Sequence, residues 1–394
     1  MNKGKWAYCA MAVFMGALCC AACNKSDGLE RTSVIENLED GRYVNLYGRD
    51  WYNENLEGWT FANSASGFEV CFSGTELAMD VQVSLGGYDN TSFSVFLDGE
   101  TDSNARVVKL GQTVYGAETV TLLSGLEKGE HRARVLKRIA SNRSLCTVSR
   151  IRTDGVFLAA PDRPELRLDI YGDSITVGEG VMRSVTVDET TGIVNDSKIY
   201  TADTMNVFQS YAGVCARELG ADFRVFGRGG IAMKYHTAAD KFSVLENYKS
   251  MAVDLDVSLG ACPEYDYTSW TPHAVVIYLG TNDYNRGMAY PELKYSDEGL
   301  KAAFAEFLNT VIGKYYGRDI PIFLCSNLMI PDSGLAEMME DVKNSLKTKF
   351  PNLETVKFAA GITAPGGHPE LNESEAAGKQ LAAAVRSALG LDAA

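Results

Sequence analysis

The chain has 394 residues, 46% hydrophobic and 22% charged, with a formal net charge of −14. That is ordinary globular material, long enough for two domains. The acidic balance repels nucleic acid and other polyanions at long range, so a neutral substrate is expected and a nucleic-acid partner is not.

At the N-terminus, Lys3 and Lys5 precede an uncharged run from Trp6 to Leu18. The run is too short to span a bilayer, which takes about 20 residues, but it suits the apolar region of a secretory signal. Leu18-Cys-Cys-Ala-Ala-Cys23 resembles a bacterial lipobox, with Cys20 standing where Leu is usual. The resemblance implies a signal peptide over 1–22, lipidation at Cys23 and a flexible tether over 23–39. The protein is then expected on the membrane of the bacterial cell envelope; a plainly cleaved signal is the alternative. Loss of Lys3 and Lys5 with the signal takes the charge from −14 to −16. Beyond the tether the nine cysteines fall to Cys71, Cys146, Cys215, Cys262 and Cys325, with no C-x-x-C spacing. Buried free thiols are expected there, and neither a metal site nor a disulfide framework.

Residues 40–160 carry short alternating runs broken by Gly, Asn, Asp and Ser. Examples are Phe68–Phe72, Leu77–Val83, Phe93–Leu97, Val107–Leu110 and Arg132–Leu136. Such spacing predicts an all-β sandwich of jelly-roll type. Trp51 and Trp59 read as core or junction residues, with sugar-stacking platforms as the alternative, and His131 as part of a strand start.

Pro161-Asp-Arg-Pro164 marks a boundary. From 161 to 394 strands and helices alternate, which implies an α/β domain with a parallel sheet covered on both faces. Strands are predicted at Leu166–Tyr171, Asp222–Phe226, Ala274–Leu279, Pro321–Ser326 and Thr355–Ala359. Helices are predicted at Phe208–Leu219, Leu300–Tyr316, Leu335–Lys347 and Glu373–Leu389. The long polar stretch Val181–Asn206 follows the first strand's turn and is expected to wall a site.

The chemistry concentrates where these strands end. Leu168-Asp-Ile-Tyr-Gly-Asp-Ser-Ile-Thr-Val-Gly178 brings Ser174 out of a buried strand at a glycine-bracketed turn, outside the carboxyl edge where open α/β sheets bind ligands. Alone, Asp173-Ser174 would serve equally as a helix cap. Downstream, Phe226-Gly-Arg-Gly-Gly230 offers unobstructed backbone N–H groups, and Tyr278-Leu-Gly-Thr-Asn-Asp283 offers the Asn282 amide. Pro365-Gly-Gly-His-Pro369 puts an imidazole on a late loop. Serine, N–H donors, amide and histidine make a complete acyl-transfer set. No P-loop, dinucleotide fingerprint or metal-spaced cluster is present, so no cofactor and no metal is expected.

Gly172-Asp-Ser-Ile-Thr, the Gly227 region, Gly280-Thr-Asn-Asp and His368-Pro resemble the four blocks of the SGNH (GDSL-type) hydrolases, in that family's order. The preceding sandwich and the phrase Trp270-Thr-Pro-His-Ala-Val-Val-Ile-Tyr-Leu-Gly-Thr-Asn-Asp283 are similar to carbohydrate esterase family 2. The resemblance implies a flavodoxin-like SGNH domain and removal of acetyl groups from xylan, mannan or related sugars. It implies Ser174 as nucleophile, His368 as general base, and an oxyanion hole of Ser174, Gly227 (or Gly229) and Asn282. Asp173 and Asp283 are implied to hold their loops. Tyr235, Trp270 and Tyr284 lie near the blocks and are candidates for a sugar-facing wall; His236 reads as loop surface, with a substrate contact as the alternative, and His273 as structural. SGNH enzymes usually carry Asp three residues before the histidine, where this chain has Pro365. A main-chain carbonyl or a water is therefore expected to hold the imidazole in a Ser–His dyad. Esterases for other small acyl esters and a non-catalytic glycan-binding lipoprotein are the competing readings.

Overall fold

The computed structural model describes residues 29–86, 90–102, 104–183, 200–237, 242–255, 261–331, 333–359 and 367–391. Two antiparallel sheets face each other in the N-terminal part. One runs Asp50–Asn53, Gly58–Phe61, Ser144–Thr153, Leu77–Leu85, Glu118–Leu123, with Val34–Ile35 added to Ser144–Thr153. The other runs Val156–Phe157, Gly67–Gly74, Gly129–Lys137, Thr91–Leu97, Arg106–Leu110, with Val44–Tyr47 added to Gly67–Gly74. Phe68, Val70, Met79, Val81, Phe93, Val95, Val148 and Ile151 fill the space between them. The sandwich begins earlier than position 40. Ile35 and Leu38 are buried in its core, so the expected tether cannot extend to residue 39. Cys23 lies outside the described residues.

The second sheet is covered on both faces. In Thr91–Leu97, Phe93 and Val95 point into the sandwich while Phe96 joins the core of the next domain, together with Tyr47 and Leu136. The two domains therefore share one continuous buried boundary.

In the C-terminal domain the strands are β1 (Arg167–Gly172), β2 (Asp222–Gly227), β3 (Ala274–Tyr278), β4 (Ile322–Ser326) and β5 (Leu353–Lys357). All pair in parallel, in the order β2-β1-β3-β4-β5. Alternate residues feed the two faces, as a strand's period of two requires. Ile170, Val276 and Phe323 face α1 (Tyr211–Leu219) and the C-terminal helix; Tyr171, Ile277 and Leu324 face the helices between β3 and β5. Those are α2 (Thr281–Ala289), α3 (Asp297–Phe307) and α4 (Leu335–Leu346), and α5 (Leu371–Leu389) closes the chain. Helix α3 runs on through a π turn at Leu308–Ile312 to Tyr315. The strand order reverses between β1 and β3, and the crevice at that point is where doubly wound sheets bind their ligands.

Candidate active site

Strand β1 delivers Ser174 to that crevice. Gly172 allows the exit, because a Cβ there would lie 1.9 Å from Thr176 Oγ1. The turn is closed by Ile175 N donating to Asp173 Oδ1 (3.0 Å) and by Glu179 N donating to Ser174 O (2.9 Å). Thr176 and Tyr211 share a hydroxyl hydrogen bond of 2.8 Å that ties the turn to α1. Ser174 remains only 7% exposed, and its Oγ is 2.7 Å from His368 Nε2. Two residues 194 positions apart are thus brought to the hydrogen-bonding distance that a nucleophile and its general base require.

The described partner of His368 Nδ1 is the hydroxyl of Tyr200, at 2.9 Å. A tyrosine hydroxyl thus stands at the atom where the sequence predicts a main-chain carbonyl or a water. Pro365, from which that expectation came, lies outside the described residues. The backbone at His368 is held too: its carbonyl accepts from Arg183 Nη2 at 2.5 Å. Arg183 also donates to Gly180 O (3.1 Å) and lies 3.6 Å from Glu370, the residue before α5. Tyr200 and Arg183 both belong to the stretch expected to wall the site, but nothing in their local sequence marks them.

Asn282 enters from the first turn of α2, whose N-cap Gly280 has φ +108°. Its Nδ2 donates to Ile231 O at 3.0 Å and stands 3.5 Å from Asp173 Oδ2, so it sits beside the nucleophile's neighbour. Gly227 pairs with Gly172 across β1 and β2, two residues from Ser174. It is buried in the strand, whereas Gly229 is half-buried in the loop beyond it. Asp173 is 1% exposed, and burial pushes its carboxyl up to about 7. Asp283 accepts from the N–H groups of Met233, Lys234 and Tyr235, each at 2.8 Å, and so fixes the loop after β2. Both acids hold loops.

The aromatic candidates divide. Tyr235 is 8% exposed and packs on Tyr295 (ring centroids 5.2 Å apart), and Tyr284 meets the same Tyr295 edge-on at 6.2 Å. Trp270 is elsewhere. It is buried over the Arg224 guanidinium, 4.4 Å from its ring, and precedes β3, at the sheet edge opposite Ser174. His236 pairs with Glu246 (2.8 Å), and His273 accepts from Arg167 N (3.2 Å). Among the described residues no group of His, Cys, Asp and Glu is placed to hold a metal ion, and Cys71, Cys146, Cys215, Cys262 and Cys325 form no disulfide.

Comparison with known proteins bears on the family and the fold. Residues 47–161 match the family model described as carbohydrate esterase 2 N-terminal. An acetylxylan esterase/glucomannan deacetylase of Cellvibrio japonicus is 23% identical over 276 residues, which are 69% of this chain and 70% of that protein. The cellulase/esterase CelE of Acetivibrio thermocellus is 27% identical over 359 residues, 88% of this chain but 39% of that longer protein. The fold matches a family two carbohydrate esterase from Clostridium thermocellum solved with cellohexaose. That match has a TM-score of 0.71 at 24% identity and covers 88% of this chain and 99% of the other. This chain is a relative of the family 2 carbohydrate esterases.

The sandwich takes part in the rim of the candidate site. Arg143, on the loop between two of its strands, contacts the buried carboxylate of Glu179, five residues past the nucleophile. Burial pushes Glu179 up to about 7, against the opposing pull of Arg228. Next to it, Ser141 donates to Asp254 at 2.5 Å, and Asp254 also takes Arg228 of the Gly-rich loop. Gly229 lets the Glu179 carboxylate approach closely, since a Cβ would lie 2.4 Å from Oε2 and the side chain would have to move.

Proposed function

We propose that the protein is a serine esterase that removes O-acetyl groups from carbohydrates such as xylan or mannan. The observation that carries the reading is the 2.7 Å contact of Ser174 Oγ with His368 Nε2 at the sheet's switch point. In this reading Ser174 attacks the acetyl carbonyl while His368 takes its proton. The oxyanion is met by the N–H of Ser174, the N–H of Gly227 or Gly229 and the Asn282 amide. The sugar hydroxyl leaves with the proton from His368, and water then releases acetate by the reverse sequence. The names of the Cellvibrio and Acetivibrio relatives support the substrate class. Residues 18–23 support lipidation at Cys23 and a place on the bacterial cell envelope.

The test is acetate release from a panel of acetylated polysaccharides, alongside hydrolysis of chromogenic acetyl and butyryl esters. Acetyl turnover that vanishes in Ser174→Ala, with the circular dichroism spectrum unchanged, is expected. A Ser174→Ala variant that keeps the wild-type rate would remove the nucleophile from this mechanism. Preference for the longer acyl chain would remove the acetyl specificity.

A further inference from the structure

The geometry points to Tyr200 as the positioning residue of the general base, occupying with a neutral phenol the place where a carboxylate commonly stands. This inference rests on the esterase reading above. To take a proton from Ser174 Oγ at 2.7 Å, His368 Nε2 must be bare, so the neutral ring carries its hydrogen on Nδ1. That hydrogen needs an acceptor, or the other tautomer is favoured and the base is lost. Tyr200 Oη lies 2.9 Å from Nδ1, and the two rings meet edge-on with centroids 5.0 Å apart and planes at 69°. The phenol oxygen accepts from Nδ1 and the ring limits the imidazole's rotation. Tyr200 is 37% exposed.

The acids nearest the histidine in sequence have other work. Glu370 and Glu373 form a reciprocal capping box at the start of α5, with Glu370 N donating to Glu373 Oε2 at 2.9 Å. Glu370 also faces Arg183. Three residues before His368 the sequence has Pro365, which carries no acid. Arg183, through the His368 carbonyl, fixes where the residue sits; Tyr200 fixes which way the ring faces. The two grips come from the single stretch that leaves the nucleophile turn. A neutral acceptor stabilises the imidazolium formed during attack less than a carboxylate would, so orientation is the larger part of its contribution.

The test pairs activity with a readout that needs no turnover. Tyr200→Phe is expected to lower kcat on a small acetyl ester roughly 10- to 100-fold with KM nearly unchanged, a part of the general-base effect. In the full-length protein with 15N-labelled histidine, the His368 ring is expected to carry its proton on Nδ1, and to shift toward the Nε2-protonated tautomer in Tyr200→Phe. Replacing Tyr200 by 3,5-difluorotyrosine, a more acidic phenol, places a phenolate beside Nδ1 near neutral pH. A negative neighbour favours the imidazolium, so the acid limb of the kcat/KM profile should move to higher pH. Tyr200→Phe with unchanged kcat and unchanged tautomer overturns the assignment. A loss confined to KM also overturns it, because Tyr200 would then be a sugar contact. If the wild type hydrolyses no acetyl ester yet the tautomer shifts in Tyr200→Phe, the esterase reading fails and the positioning role stands.

Discussion

Asn282 has one amide and two calls on it. One N–H is satisfied by Ile231 O at 3.0 Å, while the approach to Asp173 Oδ2 is long at 3.5 Å and free to be exchanged for a better acceptor. A developing oxyanion is such an acceptor. Asn282→Ala should therefore lower kcat roughly 100- to 1000-fold with little change in KM, the loss expected for one oxyanion donor. Steady-state kinetics on an acetyl ester, with a melting curve beside it, decides the matter. A change in KM alone would make Asn282 a substrate contact, and a collapse in melting temperature would make the Ile231 bond its main role. Ser174, Asn282 and His368 were legible because each stands in a short glycine-rich turn where a reactive side chain has few structural uses. Tyr200 was not, since it is one tyrosine in a polar stretch and its partner is 168 positions away. Trp270 misled for a geometric reason. It lies close to Asn282 in sequence, but a five-residue strand separates them, about 16 Å at roughly 3.3 Å per residue.

Gly178 shows how an element's boundary sets the site. It has φ +74°, a region that costs a residue with a side chain about 1–2 kcal/mol. A Cβ there would also lie 2.2 Å from Asn206 O, the carbonyl that precedes Val207–Gln209 and α1. Gly178→Ala should thus destabilise by more than the conformational term and displace Ser174 from His368. The expected result is a lower urea midpoint with the slope unchanged, together with a fall in kcat. Wild-type values for both would mean the turn tolerates a side chain and does not set the nucleophile. The five parallel strands were readable as apolar runs ending in glycine or a polar turn, and α1, α4 and α5 as amphipathic repeats. Helix α2 was not readable. Thr281-Asn-Asp-Tyr-Asn-Arg-Gly-Met-Ala289 has no apolar stripe, and buries only Thr281 and Asp283. Tertiary context makes it helical: Gly280 turns left-handed at its start, and Asp283 anchors its first turn to the loop after β2.

At the scale of the whole molecule, the domains are joined by a charge that no sequence pattern announced. Arg49, in the sandwich between two short strands, is 1% exposed and inserts into the C-terminal domain beneath strand β1. Its guanidinium carbon lies 4.3 Å from the Phe226 ring centre and 3.9 Å from that of Tyr265. Nη2 donates to Tyr171 Oη at 3.1 Å, and Nη1 to Ser250 O at 3.3 Å. Asp169 of β1, fully buried, sits 3.9 Å away and also accepts from Tyr171 (2.8 Å) and Tyr316 (2.7 Å). Removing one partner of a buried pair leaves the other charge uncompensated, which costs about 3–5 kcal/mol. Arg49→Ala should lose about that much stability in urea unfolding followed by tryptophan fluorescence, although the residue touches neither Ser174 nor His368. Because the cost comes from the stranded Asp169 carboxylate, the double variant Arg49→Ala/Asp169→Asn should lose less than the sum of its two single variants. Additive losses would mean the pair is not coupled, and a midpoint like the wild type's for Arg49→Ala would mean the sandwich is not fastened through this residue.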